Sequence, residues 1–204
     1  MTYQRYMGMT HSTPGSGEPG QSEAMHDNGP IEDHVAFADL VGRHHAYAYA
    51  LAMRFVWDEA EAEDIVQEAF IRTWRHRRAY VPGRRFTTWL YSIVTHLSLD
   101  HLRRRKRWST ILTRTAIGTH EPAAPEDLSQ AMDASRMMEI VRAGVERLPE
   151  MQRVVFTLRD LQDLSVEEVG AITGMRADAI KANLYHARKR MRKMLRGQGI
   201  NGGR

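Results

Sequence analysis

From about residue 32 to residue 196, apolar residues recur at helical spacing, and the alternating β-branched runs that mark strands are almost absent. The pattern predicts an all-α protein. Between Glu32 and Trp57, one face collects Phe37, Leu40, Val41, His44, Tyr47, Ala48, Leu51 and Phe55, an amphipathic helix with His44 at the edge of its core. A second helix, Glu59 to Arg77, has Ala62, Ile65, Val66, Ala69, Phe70, Thr73 and Trp74 as its buried stripe. Tyr80-Val81-Pro82-Gly83 ends it. A third helix starts at Thr87 or Thr88, either of which can cap it, and turns Leu90, Ile93, Val94, Leu97 and Leu102 inward.

Residues 109–127 hold Gly118, Pro122 and Pro125 with weak periodicity and read as a flexible linker. Beyond Leu128 the helical pattern resumes with the stripe Met132, Ser135, Met138, Val141, Val145 and Leu148. Pro149 suits the first turn of another helix, which carries Val154, Val155, Leu158 and Leu161. Ser165 and Glu168 form a capping box for a short helix that stops at Gly174. A last helix runs from Ala177 or Asp178 to about Arg196, packed through Ile180, Leu184, Ala187, Met191 and Leu195. The first 30 residues, rich in Gly, Ser, Pro, His and Met, have no period and are expected to be disordered. The predicted division is therefore an extension (1–30), a first small helical domain (31–108), a linker (109–127) and a second small helical domain (128–204).

Charge changes this picture more through its placement than its total, since the net charge is only +4. Asp58, Glu59, Glu61, Glu63, Asp64 and Glu68 come without an intervening cation; Arg72, Arg75, Arg77, Arg78, Arg84 and Arg85 follow, and Arg103-Arg104-Arg105-Lys106-Arg107 closes the half. Early acids suit the helix dipole. Ile71 does not fit that explanation: it is a large apolar residue on the polar side of its helix, as in a protein interface. Trp89, His96, Asp100 and Arg103 make a separate stripe on the third helix, able to stack on bases and hold phosphates, unless Trp89 belongs to the core.

A capped short helix, a Gly-containing turn and a basic helix outline a helix-turn-helix, whose last helix enters the major groove of DNA. Arg176, Asp178, Lys181, Asn183, Tyr185 and His186 are left to reach DNA, with Asn183 suited to adenine and Lys181 to guanine or phosphate. The chain has no cysteine, which excludes disulfides and thiolate metal sites and favours a reducing, cytoplasmic setting. No apolar run approaches the ~20 residues of a membrane span. There are ten histidines but no H-E-x-x-H, and His96 and His101 are poorly spaced for one helix face. No catalytic residue, metal or cofactor is expected. From these residues alone, a stand-alone helix-turn-helix regulator with an N-terminal helical dimerisation or sensing domain stays open.

Three stretches narrow the choice by resemblance. Asp64-Ile65-Val66-Gln67-Glu68-Ala69-Phe70-Ile71-Arg72-Thr73-Trp74 resembles the core-polymerase-binding helix of bacterial sigma factors. Phe86-Thr87-Thr88-Trp89-Leu90-Tyr91-Ser92-Ile93, with Leu99-Asp100-His101-Leu102-Arg103-Arg104, resembles their promoter-melting helix. Leu148-Pro149, Arg153-Val154-Val155-Phe156, Leu158 and the helix-turn-helix resemble their C-terminal domain. Two domains without other modules resemble the extracytoplasmic-function group, over about residues 35 to 196.

The resemblance implies that Asp64, Gln67, Glu68, Ile71, Arg72 and Trp74 dock on the clamp coiled coil of the polymerase's largest subunit. It implies that the loop carrying Arg77, Arg78, Tyr80, Arg84 and Arg85 captures a flipped base of the promoter −10 element. Trp89, His96, Arg103 and Arg104 would hold the melted strand and nearby backbone. Arg176, Asp178, Lys181, Asn183, Tyr185, His186 and Arg188 would read the −35 element. An anti-sigma factor, often membrane-anchored, is the implied inhibitor. The chain departs from the family at Val94, Thr95 and His96, where Ala-Arg-Asn is usual, and at Ala182 and Asn183, where Ser and Arg are common.

Overall fold

Helix α1, His34–Val56, buries Leu40, His44, Ala48, Leu51, Ala52, Phe55 and Val56. The structure, a computed structural model, describes residue 31 and residues 34–80, 85–115 and 131–197, so the predicted extension and the later part of the predicted linker lie outside the described residues. All secondary structure among the described residues is helical. None of these helices is long and apolar enough to cross a membrane. The buried stripe of α1 is narrower than the periodicity suggests. Phe37 and Val41 are half-buried, and Tyr47, expected in the core, is 59% exposed. Trp57 adopts a left-handed backbone (φ 58°) that ends α1 and turns the chain into Asp58. The Asp58 carboxylate accepts the Glu61 amide at 2.9 Å and caps α2, Glu59–Arg75.

Helix α2 buries Ala62, Ile65, Val66, Ala69, Phe70 and Thr73. A 3-10 turn over Arg77–Ala79 follows, at the start of the stretch predicted as loop. Helix α3 spans Phe86–Thr115 and differs from expectation at both ends. It starts before Thr87, because Phe86 is completely buried and the Arg85 carbonyl already accepts the Thr88 and Trp89 amides. It also continues through residues 109–115, which were read as linker. Phe55, Val66, Phe86, Leu90 and Val94 are essentially inaccessible at the centre of this three-helix unit.

The second unit begins with α4, Ala131–Glu146. Pro149 precedes α5, Glu150–Phe156, which passes directly into a π-helical turn at Thr157–Leu161. Helix α6, Val166–Thr173, starts at the predicted capping box: Ser165 Oγ accepts the Glu168 amide (3.1 Å) and a Glu168 carboxylate oxygen accepts the Ser165 amide (2.7 Å). Gly174 ends it with φ 71°, a left-handed conformation that costs glycine little. Helix α7, Ala177–Gly197, packs Ile180, Leu184, Ala187 and Met191 inward, with Leu195 half-buried. Val169 and Ile172 of α6 are buried in the same core. The helix-turn-helix is therefore α6, Gly174 and α7, braced by α4 and α5.

Candidate partner-binding and nucleic-acid-binding surfaces

Helix α2 presents Asp64, Gln67, Ile71 and Arg72 to solvent on one side, with Glu68 half-exposed among them. Ile71 is 45% exposed and is the apolar centre of this polar face. The face is locally ordered. Arg72 Nε donates to Glu68 at 2.7 Å, and that hydrogen bond holds the Glu68 carboxyl below its usual range. Trp74, assigned to the same docking set, is placed differently. It is half-buried, with its ring 4.3 Å from that of His34, 5.1 Å from Phe37 and under the Arg77 guanidinium at 3.8 Å. Trp74 supports the end of the face more than it contributes to its surface.

The stretch between α2 and α3 divides the predicted base-capturing residues. Arg77 donates to the Trp74 carbonyl at 2.9 Å while stacked on that ring, so it closes α2. Arg78 and Arg85 are exposed; Arg84 lies outside the described residues. Tyr80, expected among the base-capturing residues of this loop, has its ring packed into the helical unit. It is 7% exposed, stacked on Trp89 at 5.2 Å and edge-on to Phe86 at 6.1 Å. These three aromatics close the mouth of the helical unit, and only Trp89 keeps part of its surface free.

Further along α3, Val94 and Thr95 are buried and only His96 of that trio faces out. His96 Nδ1 lies 2.7 Å from the Ser92 carbonyl, which fits an Nδ1–H donor. Arg104 is exposed, with Nε 3.4 Å from the Asp100 carbonyl. Trp108, 65% exposed, went unassigned in the sequence; it lies one helical turn beyond Arg104, and that spacing was the available signal.

In the helix-turn-helix, Arg176, Asp178, Lys181, Tyr185 and His186 are exposed as expected, with Arg176 and Asp178 3.5 Å apart. Ala182, Lys189 and Arg190 are exposed as well. Two predicted DNA contacts are engaged elsewhere. Asn183 is half-buried and donates Nδ2 to the Ala179 carbonyl at 2.9 Å, so its amide turns back along its own helix. Arg188 is bidentate to Asp160, at 2.8 and 2.5 Å. The Asp160 side chain is 3% exposed, in the π-helical turn, and a buried carboxylate needs such a cation. Arg188 therefore ties α7 to the turn below it.

The two helical units meet through polar contacts on α3 and α1. Gln162 accepts a hydrogen bond from Arg54 and reaches the Tyr91 hydroxyl, whose pKa is pushed up mainly by burial. Glu150 accepts from Arg103 Nε at 2.9 Å and Nη2 at 2.5 Å; Arg103 Nη1 donates to Asp100 at 2.9 Å. Arg85 lies 3.6 Å from Glu168, and Arg105 lies 3.8 Å from Glu146 and 3.1 Å from Glu61. Among the described residues, no group of three His, Asp or Glu side chains is placed to hold a metal ion.

Comparison with known proteins matches residues 40–108 to the family described as Sigma-70 region 2, and residues 138–191 to Sigma-70, region 4. The chain is 32% identical over 174 residues to the ECF RNA polymerase sigma factor SigW of Bacillus subtilis, covering 80% of this chain and 91% of that protein. It is 31% identical over 182 residues to the ECF RNA polymerase sigma factor SigE of Mycolicibacterium smegmatis, covering 88% and 69%. Its fold resembles that of the sigma factor RpoE of Bartonella quintana, solved in complex with the anti-sigma factor NepR. The TM-score is 0.59 at 21% identity, over 78% of this chain and 96% of that one.

Proposed function

The chain belongs to the sigma-70 family, in its extracytoplasmic-function group, and from that premise we propose that it is a promoter-specificity subunit of RNA polymerase. It binds core enzyme, recognises the −10 and −35 promoter elements and promotes strand opening. Catalysis belongs to the polymerase, and the chain works beside it in the cytoplasm. The observation that carries this reading is that one chain combines the exposed Ile71 face of α2 with a basic helix, α3, and a complete helix-turn-helix.

In this reading residues 31–108 form the core- and −10-binding domain and residues 128–204 the −35-binding domain. Asp64, Gln67, Glu68, Ile71 and Arg72 dock on the clamp coiled coil of the largest subunit. Arg78, Arg84, Arg85, Trp89, His96, Arg103 and Arg104 handle the opened −10 strand, with Trp108 extending their row. Arg176, Lys181, Tyr185 and His186 meet the −35 duplex. A base flipped out of the helix loses its stacking, and aromatic and cationic side chains offset that loss. Core enzyme holds both domains in place, so the second promoter contact becomes intramolecular and gains effective concentration. An anti-sigma factor that covers these faces keeps the protein silent.

Transcription in vitro with core polymerase tests the proposal: adding the protein directs initiation from specific sites on cognate genomic DNA. Absence of any site-specific transcript refutes it. Glu68→Lys combined with Ile71→Glu abolishes co-purification with core while leaving the helical circular-dichroism spectrum unchanged; undiminished co-purification refutes the α2 interface.

A further inference from the structure

Before the chain meets polymerase or promoter, its second domain already occupies cations of the first. The contacts share one polarity. Glu146, Glu150 and Glu168 belong to the second domain; Arg105, Arg103 and Arg85, spread along and just before α3, belong to the first. At Arg103 all three guanidinium nitrogens are engaged: Nε and Nη2 bind Glu150, and Nη1 binds Asp100. A carboxylate presents two oxygens to a guanidinium fork as a phosphate does, so the Arg103 fork that holds Glu150 cannot also hold a DNA backbone. The Glu150 carboxyl is held below its usual range, first by the Arg103 hydrogen bond, and is ionised when that contact forms. Gln162, between Arg54 and Tyr91, adds a half-buried polar contact.

We propose that the acids Glu150 and Glu168, with Glu146 beside Arg105, are an intramolecular docking surface that imitates DNA phosphate and masks the −10-binding Arg103 of α3 and Arg85 just before it in the free chain. The inference rests on the promoter-binding reading of those arginines and adds a regulation of the same site. Single-stranded −10 DNA and the second domain then compete for Arg103 and Arg85, so strand capture requires the domains to part. The outward row of α7 and the Ile71 face of α2 lie outside the contact, so core enzyme and the −35 duplex engage first. The two domains are separated as they are drawn to their own sites, because each ligand favours the open form by its difference in affinity for the two states.

The absence of native cysteine allows site-specific labelling of the full chain. Fluorophores at Ala60→Cys and Lys193→Cys, both exposed positions, report domain separation by energy transfer. Glu150→Gln with Glu168→Gln removes two of the acids, and glutamine preserves the capping box at position 168. The control, Glu139→Gln with Glu167→Gln, makes the same charge change at exposed positions away from the contact. The expected result is high transfer in the parent and the control. The double variant shows lower transfer and roughly 5- to 10-fold tighter binding of a short single-stranded DNA. Arg103→Glu with Glu150→Arg restores high transfer relative to Glu150→Arg alone. Equal transfer in all of these proteins, or equal tightening of DNA binding in the control, overturns the proposal. Core-dependent transcription of the labelled parent, measured alongside, separates failure of the mask from failure of the polymerase reading.

Discussion

Lys181, Tyr185 and His186 on α7, and Arg176 just before it, are exposed. On α3, Arg103 has all three guanidinium nitrogens bound, two of them to an acid from the other domain. Both helices are basic, and by composition they are alike. The difference lies in where the acids sit. The buried Asp160 takes one cation of α7, Arg188, from the inner side and leaves the outer row untouched. On α3, besides Asp100 and Glu61 of its own domain, acids of the second domain, Glu150 and Glu146, reach Arg103 and Arg105 from outside. A basic helix is thus available or engaged according to the direction from which its counter-charge arrives.

The largest expected effect concerns a residue whose role changes from base contact to core. Tyr80→Ala removes a 7% exposed ring packed on Trp89 and Phe86 and should destabilise the first domain by about 3 kcal/mol. Denaturant unfolding followed by tryptophan fluorescence checks this; a change within a few tenths of a kcal/mol would return Tyr80 to the surface. Next, Arg188→Ala strands a buried carboxylate. Because Arg188 itself is 42% exposed, the loss should fall below the full cost of breaking a buried pair, at about 2 kcal/mol. A variant of normal stability that binds −35 duplex poorly would instead place Arg188 on DNA.

Lys181→Ala should leave stability unchanged, weaken −35 duplex binding by about 1 kcal/mol and lower the salt slope by about 1. An unchanged slope in a fluorescence-anisotropy salt titration would remove Lys181 from the phosphate contacts. The smallest effect is that of pH on the contact between domains. The Glu150 carboxyl is depressed, first by the Arg103 hydrogen bond, with burial opposing and Arg103 and Arg153 charges adding. A depressed acid contributes fully above its unfolded pKa and loses its contribution as pH falls through its lower, folded value. Energy transfer between the labelled domains should therefore hold from neutral pH down to about pH 5 and decline below about pH 4. Opening near neutral pH would assign control to another group.

Local rules made much of this molecule legible. The apolar periods located the helices, the capping box at Ser165 and Glu168 and the left-handed Gly174 bounded α6, and the exposure of Ile71 followed from its place off the buried stripe of α2. Several corrections came from contacts between distant residues. Asp160 and Arg188 are 28 positions apart, and Arg103 and Glu150 are 47 apart, beyond any helical spacing rule. Tyr80 reads as loop because Pro82 and Gly83 follow it, yet its ring is fixed by packing on Trp89 and Phe86. Helix α3 also continues to Thr115, through residues whose apolar periodicity is weak. In the last helix, Asn183 looked like a base reader by type, but its amide was claimed by the carbonyl one turn back.

The most direct test is the affinity of the protein for a fluorescent single-stranded −10 oligonucleotide, measured with and without core polymerase, with the Ile71→Glu variant run beside the parent. Binding by the free parent should be weak and should tighten at least roughly tenfold with core, while Ile71→Glu shows no such gain. Equally tight binding with and without core, or a full gain in Ile71→Glu, would contradict the account of a polymerase-docked subunit whose −10 face is opened by docking.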